Sequence, residues 1–133
     1  VIIAAYPGDV TTTASGSGPA ADSADVRRIA LELPQTVEKE AWGMPTFRVA
    51  GKMFLTVPDD ETSVAVRCPI HERAELIAAE PEKFWVPPHE AGSHWVRVRL
   101  AALDDVNELR DILVDSWKQA APADLVAAYL TTG

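Results

Sequence analysis

The sequence predicts an α+β fold, a two-layer sandwich in which an antiparallel sheet carries helices packed mainly on one face. Three observations predict it. Stretches 46–50, 52–57, 62–68 and 94–100 alternate polar and apolar residues with the period of a half-buried strand. Segments around 22–33 and 105–117 instead space their apolar residues by three and four, as one face of a helix does. Strands and helices do not alternate regularly, which favours antiparallel pairing over a parallel sheet with crossovers.

The elements follow in order. Asp22 or Ser23 caps a first helix whose inner face is Val26, Ile29, Ala30 and Leu33, and Pro34 ends it. Residues 36–41 make a short strand. The next two strands, 46–50 and 52–57, meet at Gly51, and Pro58-Asp59-Asp60-Glu61 turns the chain into the strand at 62–68. Residues 69–79 form a short helix, with Pro69 in its first turn and Pro81 beyond its end. A Pro/Gly-rich loop at 87–93 leads to the clearest strand, in which His94, Val96, Val98 and Leu100 face one way and Trp95, Arg97 and Arg99 the other. Asp104 or Asp105 caps a helix with Val106, Leu109, Leu113 and Trp117 on one side. Pro122 opens a last short helix bearing Leu125, Ala128 and Tyr129.

A length of 133 residues suits one domain. We assign it to 22–133 and read 1–21, which is Thr-, Ser-, Gly- and Pro-rich from residue 7, as a flexible tail; residues 1–6 could otherwise add an edge strand. No apolar run approaches the roughly 18 residues needed to cross a bilayer, and no basic segment precedes the short apolar opening, so a cytoplasmic protein is expected. The single cysteine, Cys68, cannot form an internal disulfide and falls on the core side of its strand.

The net charge is −8, from 12 basic and 20 acidic residues, and disfavours nucleic acid or anionic membranes as partners. The total conceals a local excess. Stretches 46–57, 62–68 and 94–100 hold five basic residues, Arg48, Lys52, Arg67, Arg97 and Arg99, and no acidic one, which leaves −13 for the rest of the chain. Period-two alternation puts the arginines on the face opposite the valines, with Trp95 among them; Lys52 joins them only if Gly51 does not reset the phase. Guanidinium forks suit carboxylate or phosphate, and an indole offers a stacking surface. The candidate ligand-binding set is therefore Arg48, Lys52, Arg67, Trp95, Arg97 and Arg99, with His94 at the rim. Its expected partner is an anionic or aromatic ligand. The competing reading is that these arginines pair with acids from neighbouring loops.

Other constellations point to structure. Gly51-Lys52 lacks the remaining glycines and the Ser/Thr of a phosphate loop and reads as a turn. His89 and His94 are five apart across a Pro- and Gly-containing loop, which is not a zinc-helix pattern, and Cys68 with His71 has no second ligand pair. No metal or cofactor is expected. Ser93 and Ser116 lack a nucleophile turn, and Ser116 is expected to be packed or bonded to backbone. Asp104, Glu108, Asp111 and Asp115 form one helix stripe that reads as solvated, with weak cation binding as a minor alternative. Of the four tryptophans, Trp117 belongs to the core, while Trp42 and Trp85 sit at loop edges where they could line a pocket.

Leu33-Pro34, Gly43-x-Pro45-x-Phe47-x-Val49-x-Gly51-Lys52-x-Phe54, His94-Trp95-Val96-x-Val98 and Ser116-Trp117 stand in an order and spacing that resemble the MmcQ/YjbR family over about residues 22–120. The resemblance implies a frataxin/CyaY-like sandwich, similar also to secretion chaperones. It implies little about activity, although members of the family are often labelled DNA-binding. The expected function is a non-enzymatic binding or regulatory module acting through the Arg/Trp sheet face, with DNA as one candidate partner. The alternatives are a small enzyme or resistance protein using a pocket lined by Trp42, Trp85 and His94, with His94 as acid or base, and a protein-partner adaptor. Monomer and homodimer are both compatible with the sequence.

Overall fold

The computed structural model describes residues 21–58 and 62–132. Residues 1–20 and the tip of the Pro58–Glu61 turn lie outside the described residues, and with them the readings of a tail and of an extra edge strand.

The first helix, α1 (Ser23–Glu32), starts at a reciprocal cap: the Asp22 carboxylate accepts from the Asp25 N–H at 3.0 Å, and the Asp25 carboxylate accepts from the Asp22 N–H at 3.2 Å. Its buried stripe is Val26, Ile29 and Ala30. Two tight hairpins follow. Strand β1 (Thr36–Ala41) turns into β2 (Met44–Val49) at Trp42-Gly43, and β2 turns into β3 (Lys52–Thr56) at Ala50-Gly51. Both turns hold two consecutive residues at positive φ, 54° and 77° in the first, 53° and 81° in the second. That geometry matches the twist of antiparallel strands, and glycine takes its second position without strain.

Strand β4 (Ser63–Arg67) leads through α2 (Ile70–Ala79) to the two-residue β5 (Phe84–Trp85) and then β6 (Trp95–Arg99). All neighbours are antiparallel, in the order β1-β2-β3-β4-β6-β5. The short β5 has no period of its own and is absent from the sequence-based reading. Helices α3 (Val106–Ala120) and α4 (Ala123–Thr132) complete the chain.

One sheet face is covered. Helix α3 lies across β2, β3 and β4, α1 packs on β1 and α3, and α2 packs on β5 and β6. The core between the layers joins Phe47, Val49, Leu55, Val64, Val66, Val96 and Val98 to Ile29, Leu109, Leu113 and Trp117, all buried. Trp117 is wholly buried, donates from Nε1 to the Pro34 carbonyl at 3.1 Å and meets the Tyr129 ring at 5.1 Å, so a fully desolvated indole keeps its polar partner.

A bulge sets the register of the central strands. Phe47 pairs with Leu55 but Arg48 pairs with Met53, so Phe54 is the extra residue, and Phe54 and Leu55 are both buried. Pairing of β3 with β4 reaches only Leu55–Val66 and Thr56–Ala65. Beyond it side chains take over: Ser116 Oγ donates to the Phe54 carbonyl and accepts from the Arg67 N–H at 2.9 Å, while Arg67 Nε donates to the Met53 carbonyl at 2.7 Å. Ser116 is thus bonded to backbone, as its sequence context suggests.

The acidic stripe of α3 needs a correction at one position. Asp105 caps the helix, but Glu108 is buried rather than solvated, because Lys83 reaches it: Nζ lies 2.7 Å from Glu108 Oε2, 2.8 Å from Glu80 and 3.6 Å from Asp104, and the Lys83 and Glu108 side chains are each only 8% exposed. Glu108 Oε1 also accepts from the Asp104 N–H at 2.7 Å. The cluster ties the segment before β5 to the first turn of α3.

Candidate binding site on the open face of the sheet

The second face of the sheet carries no helix over its centre among the described residues, and the register states which residues share it. Val37 faces Arg48, Arg48 faces Met53, Thr46 faces Thr56, Ala65 faces Arg97, Arg67 faces Trp95, and Trp85 faces Arg97. Arg48, Arg67, Trp95, Arg97 and Arg99 therefore do lie on one side. Lys52 does not: the two-residue turn at Ala50-Gly51 pairs it with Val49, a core residue, and puts Met53 beside Arg48 instead. His94 precedes β6 in an exposed position; its carbonyl accepts from the Cys68 N–H at 2.8 Å, and its ring lines no part of the pocket described below.

Three of these guanidinium groups, those of Arg67, Arg97 and Arg99, are engaged within the protein. Arg97 grips Glu90 with two bonds, Nε to Oε1 at 3.1 Å and Nη2 to Oε2 at 2.6 Å. Arg67, bonded to Met53, also sits 5.3 Å over the Trp95 ring. Arg99 lies 4.3 Å over the Trp85 ring and donates from Nη1 to the Glu82 carbonyl at 2.6 Å. Arg48 Nε is buried and has no hydrogen-bond partner among the described residues. The arginines build the face more than they offer charge from it.

What the face does offer is a cavity of about 300 Å³. Met44, Met53 and Ala65 line it from the strands; Trp42, Trp95 and the Arg97–Glu90 pair border it. Of the tryptophans proposed from the sequence as pocket residues, Trp42 belongs to it and Trp85 does not. Trp42 stands at the left-handed first position of the β1–β2 turn and is 74% exposed.

The loop that supplies Glu90 and Ser93 is pinned from the other layer. Pro87-Pro88 leads into a single 3-10 turn, Pro88–Glu90, and Ser93 Oγ donates to the Glu90 carbonyl at 2.8 Å. Arg73 on α2, 6% exposed, donates to the carbonyls of Ala91 at 2.7 Å, Ser93 at 2.8 Å and Trp95 at 2.9 Å. Sequence reasoning passed over Arg73. The signal was its place on the same helical stripe as Leu76 and Ile77, where a solvated arginine is out of pattern.

A second cavity, about 380 Å³, lies in the helical layer among Cys68, Leu76, Phe84, Val96, Ile112 and Tyr129. Burial, reinforced by the charges of Glu72 and Asp115, pushes the Cys68 thiol up to about 11 from 9.0. A thiolate is the reacting species, so at pH 8 native Cys68 is expected to react with a disulfide reagent at least about a hundredfold more slowly than the unfolded chain. Equal rates, measured by release of the chromophoric thiol with and without urea, would refute its burial.

A model of the YjbR family matches residues 31–119. The chain belongs to the YjbR family. Its YjbR relatives include three mycobacterial proteins named as uncharacterised, Mb2600 of Mycobacterium bovis and Rv2570 and MT2646 of Mycobacterium tuberculosis, each 33% identical over 122 residues that cover 80% of this chain and 93% of theirs. The crystal structure of the Deinococcus radiodurans protein DR2400, with the domain DUF419, matches with a TM-score of 0.64 at 22% identity, covering 76% of this chain and 79% of that one. That likeness bears on the fold: the α+β architecture of the YjbR domain is shared. No helix among the described residues is long and apolar enough to cross a membrane.

Proposed function

We propose that this YjbR-family protein is a non-enzymatic binding module whose site is the pocket on the open face of the sheet, and that its ligand is a small organic molecule. The observation that carries this reading is the cavity of about 300 Å³ between Trp42, Trp95 and the two methionines, on the face that no helix among the described residues covers. Binding is favoured over catalysis because the acid at the pocket, Glu90, is held by Arg97, and His94 stands outside it.

Against a nucleic-acid reading stand the net charge of −8 and the internal use of Arg67, Arg97 and Arg99. We expect no retardation of duplex or single-stranded DNA at about 50 mM salt. The proposed site is tested by native mass spectrometry of freshly purified protein beside Ala65→Leu, which fills the cavity from the strand side. A noncovalent small-molecule adduct on the wild type that is absent from Ala65→Leu supports the site. An adduct retained by both places the ligand elsewhere, and a DNA shift together with bare protein would replace the reading by a nucleic-acid one.

A further inference from the structure

We infer that the ligand of the open-face pocket is an uncharged, planar aromatic molecule carrying an N–H or O–H donor, with its ring against Trp42 and Trp95 and its donor directed to Glu90. The inference rests on the pocket being the binding site and goes on to the chemistry of what it takes.

Charge is decided by pairing. Among the described residues, Arg97 and Glu90 are the ionised side chains that line the cavity, and they neutralise each other through two hydrogen bonds. A charged ligand entering here would shed water without meeting a free counterion, which is costly in an apolar site. An uncharged one would not.

Ring character follows from the walls. Two indoles and two thioethers line one small cavity, and Met44 and Met53 are the only two methionines of the chain. Indoles stack on flat rings, and methionine packs against ring edges while adapting to their outline. One face of Trp95 already carries the Arg67 guanidinium, which makes the indole a fixed wall.

The donor follows from Glu90. Each carboxylate oxygen accepts one bond from Arg97, and a carboxylate has about four acceptor sites, so acceptor capacity is left. Ser93 Oγ is spent as a donor on the Glu90 carbonyl. The pocket thus has acceptors to offer a ligand's N–H or O–H.

Trp42 supplies an independent observation. The first position of a two-residue turn at φ 54° favours Asn, Asp or Gly, and a bulky residue there is strained. The turn does not ask for tryptophan, and water does not reward an indole that is 74% exposed. A flat ligand covered by that indole accounts for its exposure.

The test uses the two methionines as reporters. In full-length protein with 13C-labelled methionine methyls, indole added up to about 5 mM is expected to shift both methyl signals saturably, together with the Trp42 and Trp95 side-chain N–H signals. 1-Methylindole, which lacks the donor, is expected to bind about tenfold more weakly, and so is indole to Trp42→Gly, a variant that relieves the turn and should keep the wild-type Tm. Tighter methyl shifts from indole-3-carboxylate or tetramethylammonium than from indole overturn the uncharged class while leaving the pocket in place. Equal affinity for indole and 1-methylindole overturns the donor. No shift of either methyl with any probe overturns the inference and the pocket reading together.

Discussion

Lys83→Met is expected to destabilise the protein by about 3–5 kcal/mol, the usual consequence of leaving one member of a buried ion pair without its partner. The physical cause is Glu108. Its carboxylate is 8% exposed, and Lys83 at 2.7 Å is the cation that compensates it. With methionine at 83, the carboxylate must stay ionised in an apolar setting, take up a proton, or pull the first turn of α3 into water. The double variant Lys83→Met/Glu108→Leu removes both charges and is expected to recover most of the loss, since well-packed apolar residues often replace a buried pair at little cost. Urea unfolding of the wild type, the single and the double variant measures this. A single variant within about 0.5 kcal/mol of the wild type would mean that the pair is not desolvated.

The same cluster has a pH signature. Burial alone would push the Lys83 ammonium down, but its hydrogen bonds to Glu108 and Glu80, with the charges of Glu108 and Asp104, outweigh it and push the ammonium up from 10.5. The folded state therefore holds this proton after the unfolded state has lost it. The stabilisation is complete below pH 10.5 and declines as the pH rises from there towards the folded-state value. Cys68 adds a loss of the same sign between pH 9.0 and about 11. The wild type should lose stability through alkaline pH more steeply than Lys83→Met, and parallel profiles would contradict the assignment.

Arg73→Met is expected to cost about 3 kcal/mol and to loosen the loop that borders the pocket. Three carbonyls, those of Ala91, Ser93 and Trp95, lose a charged donor at 2.7–2.9 Å, each bond being worth about 1.5–3 kcal/mol when made. The loss is partial because Ala91 is exposed and its carbonyl regains water. Arg73→Lys should recover less than half, since one ammonium cannot reproduce a planar fork spread over three acceptors. A lower stability alone would also follow from a purely structural role. The distinguishing measurements are amide exchange, expected to accelerate over residues 89–95, and indole affinity, expected to fall by about tenfold as Glu90 and Trp95 lose their fixed positions. Unchanged exchange and unchanged affinity would make Arg73 a helix residue and no more.

Much of the fold was legible because the interactions that set it are short-range. The Asp22 cap, the Leu33-Pro34 stop, the turn at Gly51 and the alternation Trp95-Val96-Arg97-Val98-Arg99 each act within a few residues, whereas the hairpin at Trp42-Gly43 is absent from the sequence-based reading. The gathering of Arg48, Arg67, Trp95, Arg97 and Arg99 on one face follows from that alternation once the strands are adjacent. Lys52 escaped it because the two-residue turn at Ala50-Gly51 pairs it with Val49 and so resets the phase at Gly51, the condition on which its side depended. The strand Phe84–Trp85 is too short to have a period.

The amino-acid sequence by itself determined the class of fold, the helix ends, the turn at Gly51 and the side of the sheet on which the arginines and Trp95 lie, because period and turn geometry are properties of neighbouring residues. The tertiary structure alone decided which side chains meet on that face. Arg97 finds Glu90 seven residues away across a loop, Lys83 finds Glu108 from another element, and Arg73 holds a loop some twenty residues downstream. Trp42 and Met44, from the first hairpin, border the same cavity as Trp95 from the last strand. These encounters turn Arg67 and Arg97 from parts of a charged surface into the frame of a neutral, aromatic-lined pocket. Which cation meets which anion depends on where the folded chain brings them, and a count of charge along the strands carries no such information.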